Sequence, residues 1–450
     1  MPSDTLTSEF ARFVNRLSYS DLSENQIYKI KTFFLDWLGS AYAGQNEPPV
    51  RSLLEVVRGL GGTPESTIIP DNLKSMSLLA ALANGASSHV VEMDDLHRGS
   101  VFHPAASIMP AVFAMAEKER ASGPDLIMGI LVGYEVGIRI AMAVGQSHYH
   151  HWHTTATCGT FGAAAGAAKI LGLGEEQFIW ALGSAGTQAA GLWEFLVESA
   201  MSKQLHPGKA ALNGVLSALL AQKGFTGARR ILEGEKGFFR ATSTDFDEEK
   251  CVAGLGCEFM FERNSLKYYA SCGHTHSAID AVFDAVKGNR VTGREVDRVD
   301  LYVYQAAIDL LGDVEAITPY VAKFNLPFCL ATALRYGHVD PEDFTEKRLE
   351  DPEIRMLMER VNILNDPALN RSYPEKWPAR VEIFMDDGRH IRGASDYPKG
   401  EPENPLTEEE LFSKFKGLTR DHLSPSAAKT LMERCMSLEK VSDVGQLLDF

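Results

Sequence analysis

Apolar residues recur at helical spacing through the first part of the chain. Over 23–44, Ile27, Ile30, Phe33, Phe34, Trp37 and Leu38 fall on one face, and Ser23 with Gln26 three residues on has the form of a capping box. The same pattern predicts helices over 6–17, 50–60, 78–90, 105–120, 124–144, 175–191 and 207–223. It adds a short helix over 226–233 and a short extended piece over 66–70. After His153 the run GTFGAAAGAAKILGL predicts a helix with almost no bulk on one face, suited to close approach of another helix or of a ligand. The character changes after about residue 250. RVDLYVY at 298–304 alternates as a strand does, and ARVEIFMDDGRHI at 379–391 reads as a hairpin with Asp387 and Gly388 at its turn. Helices are predicted over 277–287, 326–336 and 352–361, a linker over 402–405, and helices again over 407–424 and 426–439.

Four polar stretches interrupt this pattern. The first, VEMDDLHRGSVFHPAA at 91–106, crowds Glu92, Asp94, Asp95, His97 and His103 between two Ala-rich helices, with Gly99 and Pro104 marking irregular backbone. Titratable groups held in a loop between packed helices are where acids and bases acquire shifted pKa values. Such a loop also serves simple solubility. The second, SHYHHWHTTAT at 147–157, carries His148, His150, His151 and His153. It reads as a surface loop, with metal binding as the alternative, although the spacing fits no helical two-histidine face. The third, SKQLHPGKAALNG at 202–214, places Lys203, His206 and Lys209 at a helix entry, a suitable setting for a carboxylate. The fourth, SLKYYASCGHTHSAIDAV at 265–282, carries Lys267, Cys272, His274 and His276.

Length and charge narrow the class. At 450 residues the chain is too long for one ordinary core, so two domains are expected. A net charge of −16 argues against a nucleic-acid footprint. The 6 cysteines are scattered with no C-x-x-C, so neither an iron–sulfur cluster nor a disulfide framework is expected, and a reducing cytoplasm fits. Residues 1–10 lack the charged head and apolar core of a secretory signal, and the Ala/Gly-rich stretches are broken by polar residues before reaching membrane-spanning length. There is no Walker A and no G-x-G-x-x-G, so no cofactor and no resident metal are expected.

Taken together, the four stretches resemble the MmgE/PrpD family, which includes 2-methylcitrate dehydratase, cis-aconitate decarboxylase and iminodisuccinate epimerase. The family's D-x-D-D-T-H loop followed by H-P reads here as Glu92-Met93-Asp94-Asp95-Leu96-His97, then His103-Pro104. H-P-T-x-T-x-G-x-F-G corresponds to 153–162, K-x-L-H-x-G-x-A-A-x-x-G to 203–214, and K-x-Y-x-x-C-x-x-T-H to 267–276. The segment 323–327 resembles the family's K-F-S-L-P. Departures are Glu92 for Asp, Leu96 for Thr, Thr154 for Pro, and Cys272 where the decarboxylase and the classical dehydratase have His.

The resemblance implies a mainly α protein: a large all-α domain built from both chain ends, 1–255 and 403–450, and a smaller α+β lid, 256–402. It implies an active site in the cleft between them, a homodimer, and a small polycarboxylate as substrate, with neither membrane nor nucleic acid as partner. It implies a cofactor-independent lyase of the hydro-lyase type, with an epimerase or a decarboxylase as alternatives. Asp94, His103, His153, Lys203 and Lys267 are the expected catalytic set, with Asp94 tuning an imidazole, His103 and His153 exchanging protons, and the lysines holding carboxylates. Glu92, Asp95, His97, His206, Cys272 and His276 are the expected substrate-binding set.

Overall fold

The computed structural model describes residues 4–450 other than 70, 72, 199, 290 and 292. The chain divides into two compact units, Met1–Asn264 with Thr407–Phe450, and Ser265–Leu406. The protein is mainly α, as the periodicity predicts.

The first unit is helical. Its helices include α1 (Leu6–Arg16), α2 (Glu24–Ala43), α3 (Pro48–Leu60), α4 (Ser77–Val90), α5 (Pro104–Glu119), α6 (Gly123–Ala143), α7 (Gly145–His151), α8 (Thr154–Ile170), α9 (Glu175–Gly186), α10 (Glu194–Val197) and α11 (Leu205–Gln222), joined by Glu408–Thr419 and Pro425–Met436 from the other chain end. The capping box at the start of α2 is formed: Gln26 N donates to Ser23 Oγ and Ser23 N to Gln26 Oε1. Ile30, Phe33, Phe34, Trp37 and Leu38 are buried, and Phe34 and Trp37 pack on Phe113 of α5 at 5.8 Å between ring centroids. The extended piece expected at 66–70 is β1 (Ser66–Ile68), antiparallel to β2 (Leu73–Ser75); Pro70 lies outside the described residues.

The centre of the unit is α8, packed on α5, α6 and α11, with α11 also on α4. Lack of bulk makes this possible. A Cβ added at Gly162 of α8 would lie 2.8 Å from the Gly133 carbonyl oxygen of α6, and one at Gly208 of α11 would lie 2.4 Å from the Leu82 carbonyl oxygen of α4. The second contact sets α11, and with it Lys203 and His206, beside the end of α4. One expectation about length is corrected here: α6 is long and apolar enough to cross a membrane, but 94% of its apolar window is buried inside the unit. It also carries a buried Glu135–Arg139 pair at 3.1 Å. The helix expected over 226–233 is absent: 226–228 is irregular and 229–233 runs as turns, with the Ile231 and Leu232 carbonyls accepting from Phe238 N and Phe239 N.

The second unit holds a four-stranded sheet made of β3 (Val296–Val303), β4 (Val361–Asn365), β5 (Ala379–Met385) and β6 (His390–Ser395), in the order β4-β3-β5-β6. β3 runs parallel to β4 and antiparallel to β5, and β5 and β6 form the hairpin. Alternation is clear in β5, where Ala379, Val381, Ile383 and Met385 are buried, and helices Gly273–Val286 and Leu326–Tyr336 pack in this unit. The periodicity over 352–361 gives no strand after it, whereas the helix ends at Glu359 and β4 follows. β4 is a short edge strand with no buried residue, so it lacks the alternation that reveals its neighbours.

Candidate active site

α4 ends at Val90, and the chain turns sharply through Glu92, whose φ of 59° lies in the left-handed region that non-glycine residues rarely occupy. It returns through a bridge between His97 and Phe102 to Pro104, the first residue of α5. Asp94 is buried between two imidazoles from the flanking helix ends. His89, in the last turn of α4, has Nδ1 2.7 Å from Asp94 Oδ2, and His103, at the N-cap of α5, has Nδ1 3.3 Å from the same oxygen. The main-chain carbonyl of Asp95 lies 2.6 Å from His103 Nδ1. A carboxylate or carbonyl oxygen only accepts, so each Nδ1 is the donor. Burial opposes charge on Asp94, but contact with His89 and His103 outweighs it and holds the carboxyl well below its usual range. Burial, only partly offset by Asp94, lowers His89, which stays neutral near pH 7. Two atoms of this group, His89 Nε2 and Asp94 Oδ1, are buried without a hydrogen-bond partner among the described residues. A metal ion could sit among His89, Asp94 and His103, whose ligand-type atoms lie within 4.8 Å of one another, but here both Nδ1 atoms act as hydrogen-bond donors.

Asp95 points the other way. Its Oδ1 accepts from Ala105 N at 2.9 Å, and its Oδ2 from Tyr134 Oη at 2.7 Å and Asn264 Nδ2 at 2.5 Å. Burial pushes Asp95 up to about 7 against these donors. The loop is held at Met93 too, whose carbonyl accepts from Lys414 Nζ at 2.8 Å; Lys414 lies on the helix Glu408–Thr419 and pairs with Asp36 of α2 at 2.5 Å.

The imidazole group continues into α8 and α11. Backbone pairing of 151–153 with 191–193 brings Trp193 onto His153, at 4.7 Å between ring centroids. His153 Nδ1 is 3.1 Å from His206 Nδ1, and the His89 and His153 ring centroids are 5.7 Å apart. Burial, reinforced by the neighbouring rings and Lys203, holds His153 well below its usual value, and burial pushes His206 down to about 4. Lys203, buried just before α11, donates to Glu92 Oε1. Asp94, His103, His153, Lys203, Glu92, Asp95 and His206 thus share one region of the first unit. His97 is buried in the same loop with Nδ1 2.8 Å from Ser100 Oγ, and burial pushes it down to about 3. Of the second stretch, only His153 joins the cluster: His150 and His151 are exposed, and His148 is buried with its ring nitrogens 3.0 Å from Thr242 Oγ1 and 2.8 Å from Thr157 Oγ1.

Lys267, Cys272 and His276 belong to the second unit and are buried there. Cys272 is the N-cap of helix Gly273–Val286, and His276 within that helix has Nε2 3.2 Å from the Ser271 carbonyl oxygen. Sequence reasoning did not single out His89, Tyr134, Asn264 or Lys414. His89, a polar residue at the end of an Ala-rich helix, left a readable signal. The other three reach the loop from positions 39 to 321 residues away, with no local mark.

The family models described as MmgE/PrpD N-terminal domain and MmgE/PrpD C-terminal domain match residues 8–250 and 269–438. The chain is 27% identical to a cis-aconitate decarboxylase of Aspergillus terreus over 99% of this chain and 95% of the relative. It is 24% identical to the Homo sapiens cis-aconitate decarboxylase over 98% and 94%. With the 2-methylcitrate dehydratase of Escherichia coli (strain K12) it shares 22% identity over 52% and 50%.

Proposed function

This chain belongs to the MmgE/PrpD family, and we propose that it is a lyase acting by proton transfer next to a carboxylate of a small di- or tricarboxylic acid. The observation that carries the reading is Asp94 buried between the Nδ1 atoms of His89 and His103. Loss of carbon dioxide breaks a carbon–carbon bond, leaves its electron pair on the substrate as an enolate-like carbanion, and takes one proton from an acid. Loss of water takes a proton from carbon to a base, breaks a carbon–oxygen bond, and protonates the departing hydroxide. Both need a group that changes its proton count, which an imidazole beside an ionised carboxylate can supply, and a cation for the substrate's charge. Asp94 is the carboxylate that stabilises an imidazolium. His103 exchanges protons with substrate, since its side chain is 14% exposed where those of His89 and Asp94 are closed. His153 is the second acid–base candidate. Lys203 takes a substrate carboxylate, with Glu92 as its counter-ion at rest.

Between the two reactions, the alignments favour decarboxylation: decarboxylase relatives align over 98–99% of the chain, the dehydratase over 52%. Dehydration is the second reading and rests on that shorter match. The epimerase alternative draws no support from these relatives. Proton NMR in D2O with a panel of di- and tricarboxylates separates the outcomes. Carbon dioxide release with deuterium entering the product is the expected result, and an alkene formed with loss of water supports the second reading. No turnover across the panel overturns the lyase reading. Full turnover in both His103→Ala and His153→Ala overturns the acid–base assignment.

A further inference from the structure

We propose that Asp95 is a positioning residue, held by Tyr134 and Asn264 so that its main-chain carbonyl keeps the proton of His103 on Nδ1 and leaves Nε2 as the atom that exchanges protons with substrate. The role of Nε2 in turnover rests on the lyase reading; the position of the proton does not.

The argument starts at the 2.6 Å contact between His103 Nδ1 and the Asp95 carbonyl oxygen. The tautomer of an imidazole is set by the hydrogen bond its other nitrogen makes, and a carbonyl oxygen can only accept. The constraint therefore depends on that carbonyl being held in place, with Asp94 Oδ2, 3.3 Å from the same Nδ1, as a second and longer acceptor. Three donors hold the Asp95 carbonyl through the side chain: Ala105 N, Tyr134 Oη and Asn264 Nδ2, the first from the start of α5 itself. Tyr134 projects from α6, the buried apolar helix packed on α8, with its ring 5.9 Å from that of Phe33. Asn264 is held by the same helix at one remove. The next residue, Glu135, accepts from Phe261 N at 2.9 Å, and Arg139 one turn on donates to the carbonyls of Ala253 and Glu258, both at 2.7 Å. These contacts fix the segment that ends in Asn264. The paired charge inside α6, which a purely structural apolar helix does not need, thus acquires a purpose: the helix reaches His103 by two routes that converge on Asp95 Oδ2.

The test reads the proton directly. In the full chain carrying ¹⁵N-labelled histidine, with His103→Gln identifying the signal, long-range ¹H–¹⁵N correlation distinguishes a protonated from a bare ring nitrogen. The wild type is expected to show His103 protonated on Nδ1 and bare on Nε2 when neutral. In the Tyr134→Phe, Asn264→Ala double variant the Nε2-protonated form gains population, and kcat on a polycarboxylate that the NMR panel shows to be turned over falls about tenfold or more with KM within about twofold. Should the double variant not fold, Tyr134→Phe alone, which keeps the ring and removes one hydroxyl, carries the same readout with a smaller shift. A wild-type proton on Nε2 overturns the proposal, as does a variant whose tautomer is unchanged. Because the tautomer is read without substrate, a failure of every polycarboxylate to react counts against the lyase reading alone.

Discussion

His89, Asp94 and His103 in the first unit, and His338, Asp340 and Asp343 in the second, each bring three ligand-type atoms within 4.8 Å of one another. Their surroundings differ. In the first group the side chains are 0, 0 and 14% exposed; in the second His338 and Asp340 are 47% and 55% exposed. Asp343 is buried, but its Oδ2 accepts from Asp340 N at 2.9 Å and closes the capping box of the short helical turn Pro341–Asp343. The exposed group is a turn with a histidine laid across it, where water and salt screen the charges. In the buried group the same charges act through a medium that screens them weakly, so Asp94 stays ionised and, together with the Asp95 carbonyl at His103, sets which imidazole nitrogen carries a proton. Composition alone is a poor guide to a site; a charge kept from water among imidazoles is a better one.

The strongest way to break this comparison is to neutralise each carboxylate in turn. Asp94→Asn is expected to lower kcat by about three to four orders of magnitude, as loss of a carboxylate that orients an imidazole does elsewhere, while Asp343→Asn leaves turnover within about twofold. Steady-state kinetics on folded variants decides, and similar losses in both would erase the distinction. Next in size is the buried support of the first loop. Lys414→Ala leaves Asp36 buried without its ammonium and Met93 without its donor, and should cost about 4 kcal/mol in urea unfolding. Arg348→Ala, whose guanidinium is 31% exposed and 3.5 Å from Asp343, should cost less than about 1 kcal/mol.

A buried imidazole with hydroxyl rather than carboxylate hydrogen-bond partners sharpens the contrast further. Burial, only partly offset by Thr242 and Asp245, pushes His148 down to about 4 from an unfolded value of 6.5. The unfolded chain therefore binds the extra proton first as pH falls. The contribution is complete above about 6.5 and is lost as pH drops through about 4, amounting to about 3 kcal/mol. Thermal melts from pH 7 to pH 4 should show a shallower acid loss in His148→Gln than in the wild type. A matching slope would mean that His148 does not carry it. Smallest of all, Asp340→Asn should change stability by no more than about 0.5 kcal/mol at neutral pH, read by the same urea titration.

Much of this molecule was legible before any fold was known. The start of α2 at Ser23, the hairpin of β5 and β6 around Gly388, and the slim face of α8 follow from residues within a few positions of one another. The acidic loop announced itself by its charge, and Lys203 and His206 by their place at a helix entry. Tertiary structure alone decided how those parts are used. It took His153 from a run of four histidines and left His150 and His151 in water. It turned the Asp95 side chain inward onto Tyr134 and Asn264, and reached across the chain for Lys414. The physical reason is range. Helices, turns and caps are settled by hydrogen bonds and periodicities spanning about four residues, whereas the site is assembled by helices whose backbones touch where glycine leaves no side chain between them, and no local pattern states which glycine meets which carbonyl.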